Sequence, residues 1–207
     1  DGALRRIEEQ LRALELGAWP RELELDLYEC VARRGEERLA QRLAAWRERL
    51  AAQPLGEARL CLQGGDASLG RGVFFEDATV TCLRCHQVGA EGGTEVGGLV
   101  GPDLSQVGAR LDREGLLESV LRPNASLAAG YERWILVLDD ESLLAGSIVG
   151  EDERFVHLLT PSEQEIMVAR DAVVERRRDL SAMPEGQAEK ISRRALRDLI
   201  EFLASLR

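Results

Sequence analysis

Two cysteines and a histidine stand together at one point of the chain, in the pentapeptide Cys82-Leu83-Arg84-Cys85-His86. Two thiols on one turn can form thioethers with the vinyl groups of a haem, and the histidine that follows can bind the iron. A Cys-x-x-Cys pair alone could also be half of a zinc site or a thiol–disulfide centre. Zinc needs a second pair of ligands, whereas the remaining cysteines, Cys30 and Cys61, lie far apart. The pentapeptide therefore predicts one covalently attached haem c with His86 as an iron ligand.

The side chains that could bind the opposite side of the iron are few: Met183, Met167, His157 and Lys190. Met167 and His157 lie in strand-like runs, which favours a core methionine and a histidine on one face of a sheet. Lys190 is interpreted as a solvated side chain. Met183 lies in a non-periodic loop, where Pro184 restricts it to extended backbone and helps to present its thioether. We predict Met183 as the second axial ligand, with His157 or an open or water-bound position as the alternatives.

The order of motifs along the chain resembles that of class I cytochromes c. The resemblance rests on a helical Gly70-Arg71-Gly72-Val73-Phe74, the haem pentapeptide, Gly101-Pro102-Asp103-Leu104, Met183-Pro184 and a closing helix. It implies that the Pro102 carbonyl accepts a hydrogen bond from Nδ1 of His86, which would fix the ring and raise its basicity. It also implies that the first and last helices cross, with Gly70 and Phe74 against the region of Leu199 and Phe202.

One departure from compact class I domains is large, because Cys82 and Met183 are separated by about a hundred residues instead of several dozen. A β-prone block accounts for the excess, and its placement resembles a haem-binding domain family of planctomycete and verrucomicrobial proteins. That narrower resemblance covers residues 64–207 and includes the phrases Gly64-Gly65-Asp66-Ala67, Leu117-Glu118-Ser119 and Met183-Pro184-Glu185-Gly186. It implies a place at the C-terminal end of a large exported protein, after helical repeats and often a propeller-like dehydrogenase domain.

Hydrophobic spacing divides the chain into helical and β-prone parts. Apolar residues recur at helical spacing through residues 1–52, which predicts three helices. Asp66, Asp112 and Ser192 are placed to cap three later helices. Short β-branched and aromatic runs, separated by turn residues, fill residues 131–178 and predict an antiparallel meander of four or five strands.

Together with the resemblance, which implies a class I cytochrome c helical core, these elements predict a mainly α fold in which that core has an inserted small antiparallel β-sheet and an N-terminal helical extension. We expect residues 1–60 to form the N-terminal helical segment, either the end of a helical repeat region or a collar packed on the haem domain. Residues 61–207 form the predicted cytochrome c domain, with the β insertion at about 131–178.

Charge and composition bear on partners and compartment. The net charge is −10 over 207 residues, and nearly all of it lies after residue 60. Nucleic acid does not fit, since binding it needs a basic footprint, whereas a partner with a basic docking patch does. No run approaches the ~20 apolar residues of a transmembrane helix. Covalent haem implies an oxidising, exported compartment such as a bacterial periplasm, where Cys30 and Cys61 could form a disulfide or remain two buried free thiols.

The sequence thus predicts a non-enzymatic electron-transfer protein that passes single electrons between a donor and an acceptor. The abrupt start at Asp1, without a signal peptide, suggests a mature form or an excised part of a larger protein, in which the chain would accept electrons from a fused or docked dehydrogenase domain. The alternative is a haem enzyme or gas sensor with an open or displaceable sixth iron position. Arg133, Trp134 and the run Arg176-Arg177-Arg178 could meet haem propionates, or lie on the exposed surface.

Overall fold

Amphipathic helices open the chain in the computed structural model, which describes residues 2–89 and 95–207. They are α1 (Gly2–Glu15), α2 (Glu24–Arg34) and α3 (Glu37–Ala51), with a one-turn 3₁₀ helix at Arg21–Leu23 between the first two. Their apolar stripes face one another and bury Leu11, Leu25 and Leu39 almost completely. The periodicity read from residues 1–52 therefore corresponds to helices that share one hydrophobic cluster.

The helical core follows and is built from α4 (Ala67–Glu76), α5 (Val107–Arg110), α6 (Arg113–Leu121) and α7 (Arg193–Ser205). The predicted caps are confirmed, since the side chains of Asp66, Asp112 and Ser192 each accept a hydrogen bond from a backbone N–H in the first turn that follows. The apolar faces of these helices meet in a second cluster. Its most deeply buried side chains include Phe74, Leu117 and Ile200.

The tightest contact of the helical core is the crossing of α4 over α7. At Gly70 the two backbones touch: a Cβ at this position would clash with the carbonyl of Asp198 and lie 2.8 Å from Cβ of Phe202. The rings of Phe74 and Phe202 are 5.6 Å apart beside it. The glycine–aromatic crossing implied by the resemblance is therefore present, and it requires glycine at position 70 because any side chain would separate the helices.

Two antiparallel sheets lie among the described residues. The smaller pairs β1 (Gln87–Gly89) with β2 (Glu95–Gly97). The larger contains five strands in the order β6-β5-β4-β3-β7, namely β3 (Arg133–Leu138), β4 (Leu143–Glu151), β5 (Phe155–Leu159), β6 (Glu165–Ala169) and β7 (Val173–Arg178). Strands β6 and β7 occupy opposite edges although only the turn at Arg170–Ala172 joins them, so the sheet must curl until its edges approach. Its concave side encloses a third cluster around Leu136, Val156 and Leu158.

The prediction of a mainly α fold with a small inserted sheet is wrong. Helices account for 47 % and strands for 18 % of the described residues, which makes this a mixed helical and sheet fold. The sheet is larger than an inserted appendage because it curls around a hydrophobic core of its own. The polar run of β7 adds an edge strand that alternation alone does not reveal.

The N-terminal helices meet the helical core along α7 through polar contacts. Arg197 pairs with Asp26 at 2.8 Å, and Arg194 pairs with Glu29 at 2.7 Å. Leu60 belongs to the first cluster, whereas Cys61 belongs to the second. The boundary at residue 60 stays a prediction. Among the residues that the structure describes, no helix has both the length and the apolar character needed to cross a membrane.

Candidate functional site

The pentapeptide forms one tight turn, a 3₁₀ helix at Cys82–Arg84 that begins after Thr81 in left-handed backbone (φ 46°). The carbonyl oxygen of Cys82 accepts hydrogen bonds from the N–H groups of Cys85 and His86, both at 3.1 Å. Both thiols are free and partly buried. Burial raises the pKa of the Cys82 thiol to about 11, so this sulfur is protonated at neutral pH. The turn thus presents two thiols and an imidazole within five residues.

A second segment, residues 98–104, lies along the pentapeptide and is joined to it by backbone hydrogen bonds. The N–H of Gly98 donates to the carbonyl of Leu83 at 3.0 Å, and that of Gly101 donates to the carbonyl of Cys85 at 2.7 Å. At Gly101 a Cβ would lie 2.5 Å from Cε1 of His86. Glycine at position 101 therefore lets the backbone pass directly against the imidazole ring.

His86 is held by this second segment, because its Nδ1 lies 2.9 Å from the carbonyl oxygen of Pro102. Burial lowers the pKa of His86, which favours the neutral ring. A carbonyl can only accept, so Nδ1 carries the proton and Nε2 keeps its lone pair. Within the described residues Nε2 has no hydrogen-bond partner. A neutral imidazole with its Nδ1–H fixed and its Nε2 available is the form that binds a metal.

Met183 lies in the loop before α7, which we define as the Met183 loop, residues 181–185. Its side chain is partly buried and packs against the same helical-core cluster as Cys82. The N–H of Met183 donates to Oγ of Ser181 at 3.1 Å. Asn124, from the turn after α6, accepts a hydrogen bond from the N–H of Ser181 and donates one to Glu185, each at 2.7 Å. The structure therefore brings Met183 to the core that carries the pentapeptide.

Sequence reasoning did not identify Asn124 as part of the site. It lies more than fifty positions before the loop that it contacts, so no motif spacing links the two. The available signal was compositional, because it is the only asparagine of the chain and directly follows the proline that ends α6.

The other candidates for the second axial position lie elsewhere. Met167 is 67 % exposed, so the expectation of a core methionine is wrong: its neighbour Val168 faces the sheet interior and alternation points Met167 outward. His157 lies between the carboxylates of Glu165 and Asp152 on the sheet. Lys190 is exposed and donates to the side chain of Gln187.

The cysteines and arginines outside the pentapeptide have partners of other kinds. Cys30 and Cys61 are free thiols, and the buried thiol of Cys61 donates to the carbonyl of Arg193 at 3.4 Å. Trp134 packs against the sheet interior. The arginines considered for haem propionates pair with carboxylates, namely Arg133 with Asp179, Arg176 with Glu151, Arg177 with Glu175 and Arg178 with Glu132.

The five-stranded sheet contacts the segments that flank the site residues. At the tip of the β5–β6 turn, the carboxylate of Glu163 accepts a hydrogen bond from the N–H of Leu99 at 3.1 Å, two residues before Gly101. At the start of β3, the guanidinium of Arg133 pairs with the carboxylate of Asp179 at 3.3 Å. The backbone carbonyl of Arg133 also accepts a hydrogen bond from the N–H of Asp179 at 2.9 Å, just before the Met183 loop. The sheet thus braces the segments that lead to His86's partner and to Met183.

The side chains of the pentapeptide and of Met183 are chemically suited to bind a covalent haem. Two unpaired thiols, a neutral histidine with an available Nε2 and a thioether on the same core are the donor set that such a group requires. Among residues 2–89 and 95–207, no group of three or more His, Cys, Asp and Glu side chains could hold a bare metal ion. A haem iron needs no such group, because the porphyrin supplies four of its ligands. No protein-family model matches the chain, and no curated protein is significantly similar to it.

Proposed function

We propose that this chain is a class I cytochrome c domain that carries one haem c and transfers single electrons. Cys82 and Cys85 would hold the haem, and His86 and Met183 would bind its iron. The observation that carries the proposal is the His86 ring, on a turn with two free thiols. Its Nδ1 is 2.9 Å from the Pro102 carbonyl, and its Nε2 has no hydrogen-bond partner among the described residues. The motif order of class I cytochromes c supports the same assignment.

When bound, the haem supplies a one-electron Fe(III)/Fe(II) couple. The chain's own residues would keep His86 and Met183 in place in both oxidation states, so that little would rearrange on electron transfer. The Pro102 carbonyl prevents rotation of the imidazole and keeps its Nδ1 protonated. The soft thioether of Met183, on a loop that packs against the helical core, would favour the reduced iron and raise the reduction potential.

We also propose the setting that this chemistry implies. Covalent haem attachment would require an oxidising, exported compartment such as the bacterial periplasm. The net charge of −10 favours a redox partner with a basic docking patch, and the family resemblance favours a dehydrogenase, fused or docked, as the electron donor.

The test is to produce the chain in a bacterial periplasm together with a haem-attachment system. We expect one covalent haem by mass spectrometry in the wild type and none after the double substitution Cys82→Ser and Cys85→Ser. The oxidised wild type should show the long-wavelength charge-transfer band of a methionine–iron bond. Met183→Ala should abolish this band, lower the reduction potential and let the reduced iron bind carbon monoxide rapidly.

Met167→Ala is the matched control, because it removes the other methionine of the chain from an exposed position on the sheet. It should leave the band, the potential and the slow reaction with carbon monoxide unchanged. A wild type without covalent haem would contradict the proposal. Rapid binding of carbon monoxide by the reduced wild type would instead support a haem enzyme or gas sensor with an open position.

A further inference from the structure

Asn124 makes the long-range contacts that fix the Met183 loop. It stands in the turn that follows α6, and its side-chain amide reaches both flanks of Met183. We propose that Asn124 is a positioning residue that holds Met183 at the iron, an inference that rests on the proposed haem ligation.

The hydrogen bonds enclose Met183 from both sides. Oδ1 of Asn124 accepts the N–H of Ser181, two residues before the methionine, at 2.7 Å. Nδ2 of Asn124 donates to Oε1 of Glu185, two residues after it, also at 2.7 Å. The Ser181 hydroxyl accepts the N–H of Met183 itself at 3.1 Å. The Asn124 side chain thus binds the loop before and after Met183. Ser181, which it holds, in turn accepts the N–H of Met183.

The chemistry of these contacts selects an amide. The entrance offers a donor, the N–H of Ser181, and the exit offers an acceptor, the carboxylate of Glu185. An asparagine side chain carries one acceptor and one donor group on the same short stem and matches both. An aspartate at position 124 would keep the first bond and place a carboxylate against Glu185, whereas an alanine would keep neither.

The anchor of Asn124 is the helical core, not the sheet. Pro123 is buried, and the N–H of Ala125 donates to the carbonyl of Arg122 at 2.9 Å, which closes the turn around Asn124. The helix before it contributes Leu116 and Leu117 to the buried cluster against which Met183 packs. Through Asn124 the Met183 loop is therefore tied to the same framework as the pentapeptide.

Releasing the loop should increase the fraction of protein in which the thioether has left the iron. We expect Asn124→Ala to weaken the methionine–iron band, to lower the reduction potential and to raise the rate of carbon monoxide binding to the reduced protein about tenfold, the factor for losing two ordinary hydrogen bonds. Asn124→Asp should weaken ligation at least as strongly, because the new carboxylate faces Glu185.

The decisive variant reverses the direction of one hydrogen bond. In Asn124→Asp combined with Glu185→Gln, the new carboxylate can accept both the Ser181 N–H and the new amide N–H. We expect carbon monoxide binding, the band and the potential to return close to the wild-type values. A general loss of stability would not be repaired in this way. Glu185→Ala, at an exposed position, removes only one bond and should raise the carbon monoxide rate about threefold.

Gln187→Ala is the matched control, because it removes an amide hydrogen bond of 2.8 Å, to Lys190, just beyond the loop. It should leave ligation unchanged. Wild-type band, potential and carbon monoxide rate in Asn124→Ala and Glu185→Ala would overturn the positioning role, as would failure of the double variant to recover. The proposed function fails separately, when the wild type itself lacks covalent haem or the methionine band.

Discussion

The helical core and the five-stranded sheet both enclose hydrophobic clusters, but they pack in different ways. The helical core brings backbones into contact at glycine, as where Gly70 of α4 lies against Asp198 of α7. The sheet curls around branched side chains such as Val156 and Leu158, and its own close glycine contact, Gly146 against the Leu159 carbonyl, lies between two neighbouring strands. The residues proposed to bind haem, and the Pro102 that holds His86, all lie outside the five-stranded sheet: Cys82, Cys85, His86, Pro102 and Met183.

This difference indicates which part of the fold holds the site residues in position. The site is built on helix crossings and backbone hydrogen bonds that leave little freedom, such as the contact of Gly101 with the His86 ring. The sheet contacts segments that flank the site residues, through Glu163 at Leu99 and through Arg133 at Asp179. Val100 and Ala182, beside Gly101 and Met183, also line a small cavity together with residues of the sheet. Changes in the helical core should therefore disrupt both folding and the proposed haem ligation, whereas changes in the sheet should affect the site weakly.

The largest effect is expected at the helix crossing. Gly70→Ala places a methyl group against the carbonyl of Asp198, so α4 and α7 must separate. We expect the free energy of unfolding to fall by about 3 kcal/mol or more, because overpacking against backbone leaves no flexible group to yield. Denaturant titration followed by circular dichroism measures this change in the haem-bound protein.

Gly72→Ala is the control for that substitution, since it changes the next glycine of the same helix. In the described part of the chain, no atom outside its own neighbourhood lies within 4 Å of a Cβ at this position. Alanine should therefore stabilise the helix by about 0.5–1 kcal/mol. Equal losses of stability at both positions would show that the crossing does not depend on the contact at Gly70.

The two regions were also unequally predictable from the sequence. The pentapeptide and the caps at Asp66, Asp112 and Ser192 could be read because the interactions that define them span only a few residues. The contact between His86 and Pro102 followed from the family resemblance, and the backbone hydrogen bonds that create it became visible only with the fold.

Contacts between distant residues explain what the sequence did not reveal. The closure of the sheet depends on β6 and β7 lying at opposite edges, a property of strand order that no hydrophobic pattern contains. Met167 sits in an apolar run yet points outward, because each strand of a curled sheet has one solvent face. Asn124 reaches the Met183 loop through the packing of α6, so its role depends on tertiary structure.

A smaller effect is expected where the sheet touches the site. Glu163→Ala removes the acceptor for the Leu99 N–H. Because this hydrogen bond is exposed, its loss should lower the free energy of unfolding by only about 0.5–1 kcal/mol. Glu163→Gln retains an acceptor oxygen and serves as the control. Both variants should keep the methionine–iron band, and amide hydrogen exchange at Leu99 should accelerate in Glu163→Ala alone. Loss of the band in Glu163→Ala would mean that the sheet positions the iron ligands, contrary to the difference drawn between the two regions.

The smallest effect is expected from the titration of His157, on the outer face of the sheet. Its Nδ1 lies 2.8 Å from Oε1 of Glu165 and its Nε2 lies 3.6 Å from Oδ2 of Asp152, and the hydrogen bond to Glu165 is the main cause that raises the pKa of this histidine. A raised pKa in the folded state means that the charged ring contributes stability below the unfolded pKa of about 6.5. That contribution disappears as the pH rises through the folded pKa.

The stability difference between wild type and His157→Gln should therefore be largest near about pH 5.5 and vanish towards about pH 9, as measured by denaturant titrations across that range. Glu165→Gln should reduce the same pH dependence, since it removes the principal partner of the charged ring. The reduction potential of His157→Gln should equal that of the wild type at each pH. A pH-dependent difference in potential between the two would show that the charge on His157 affects the proposed haem site.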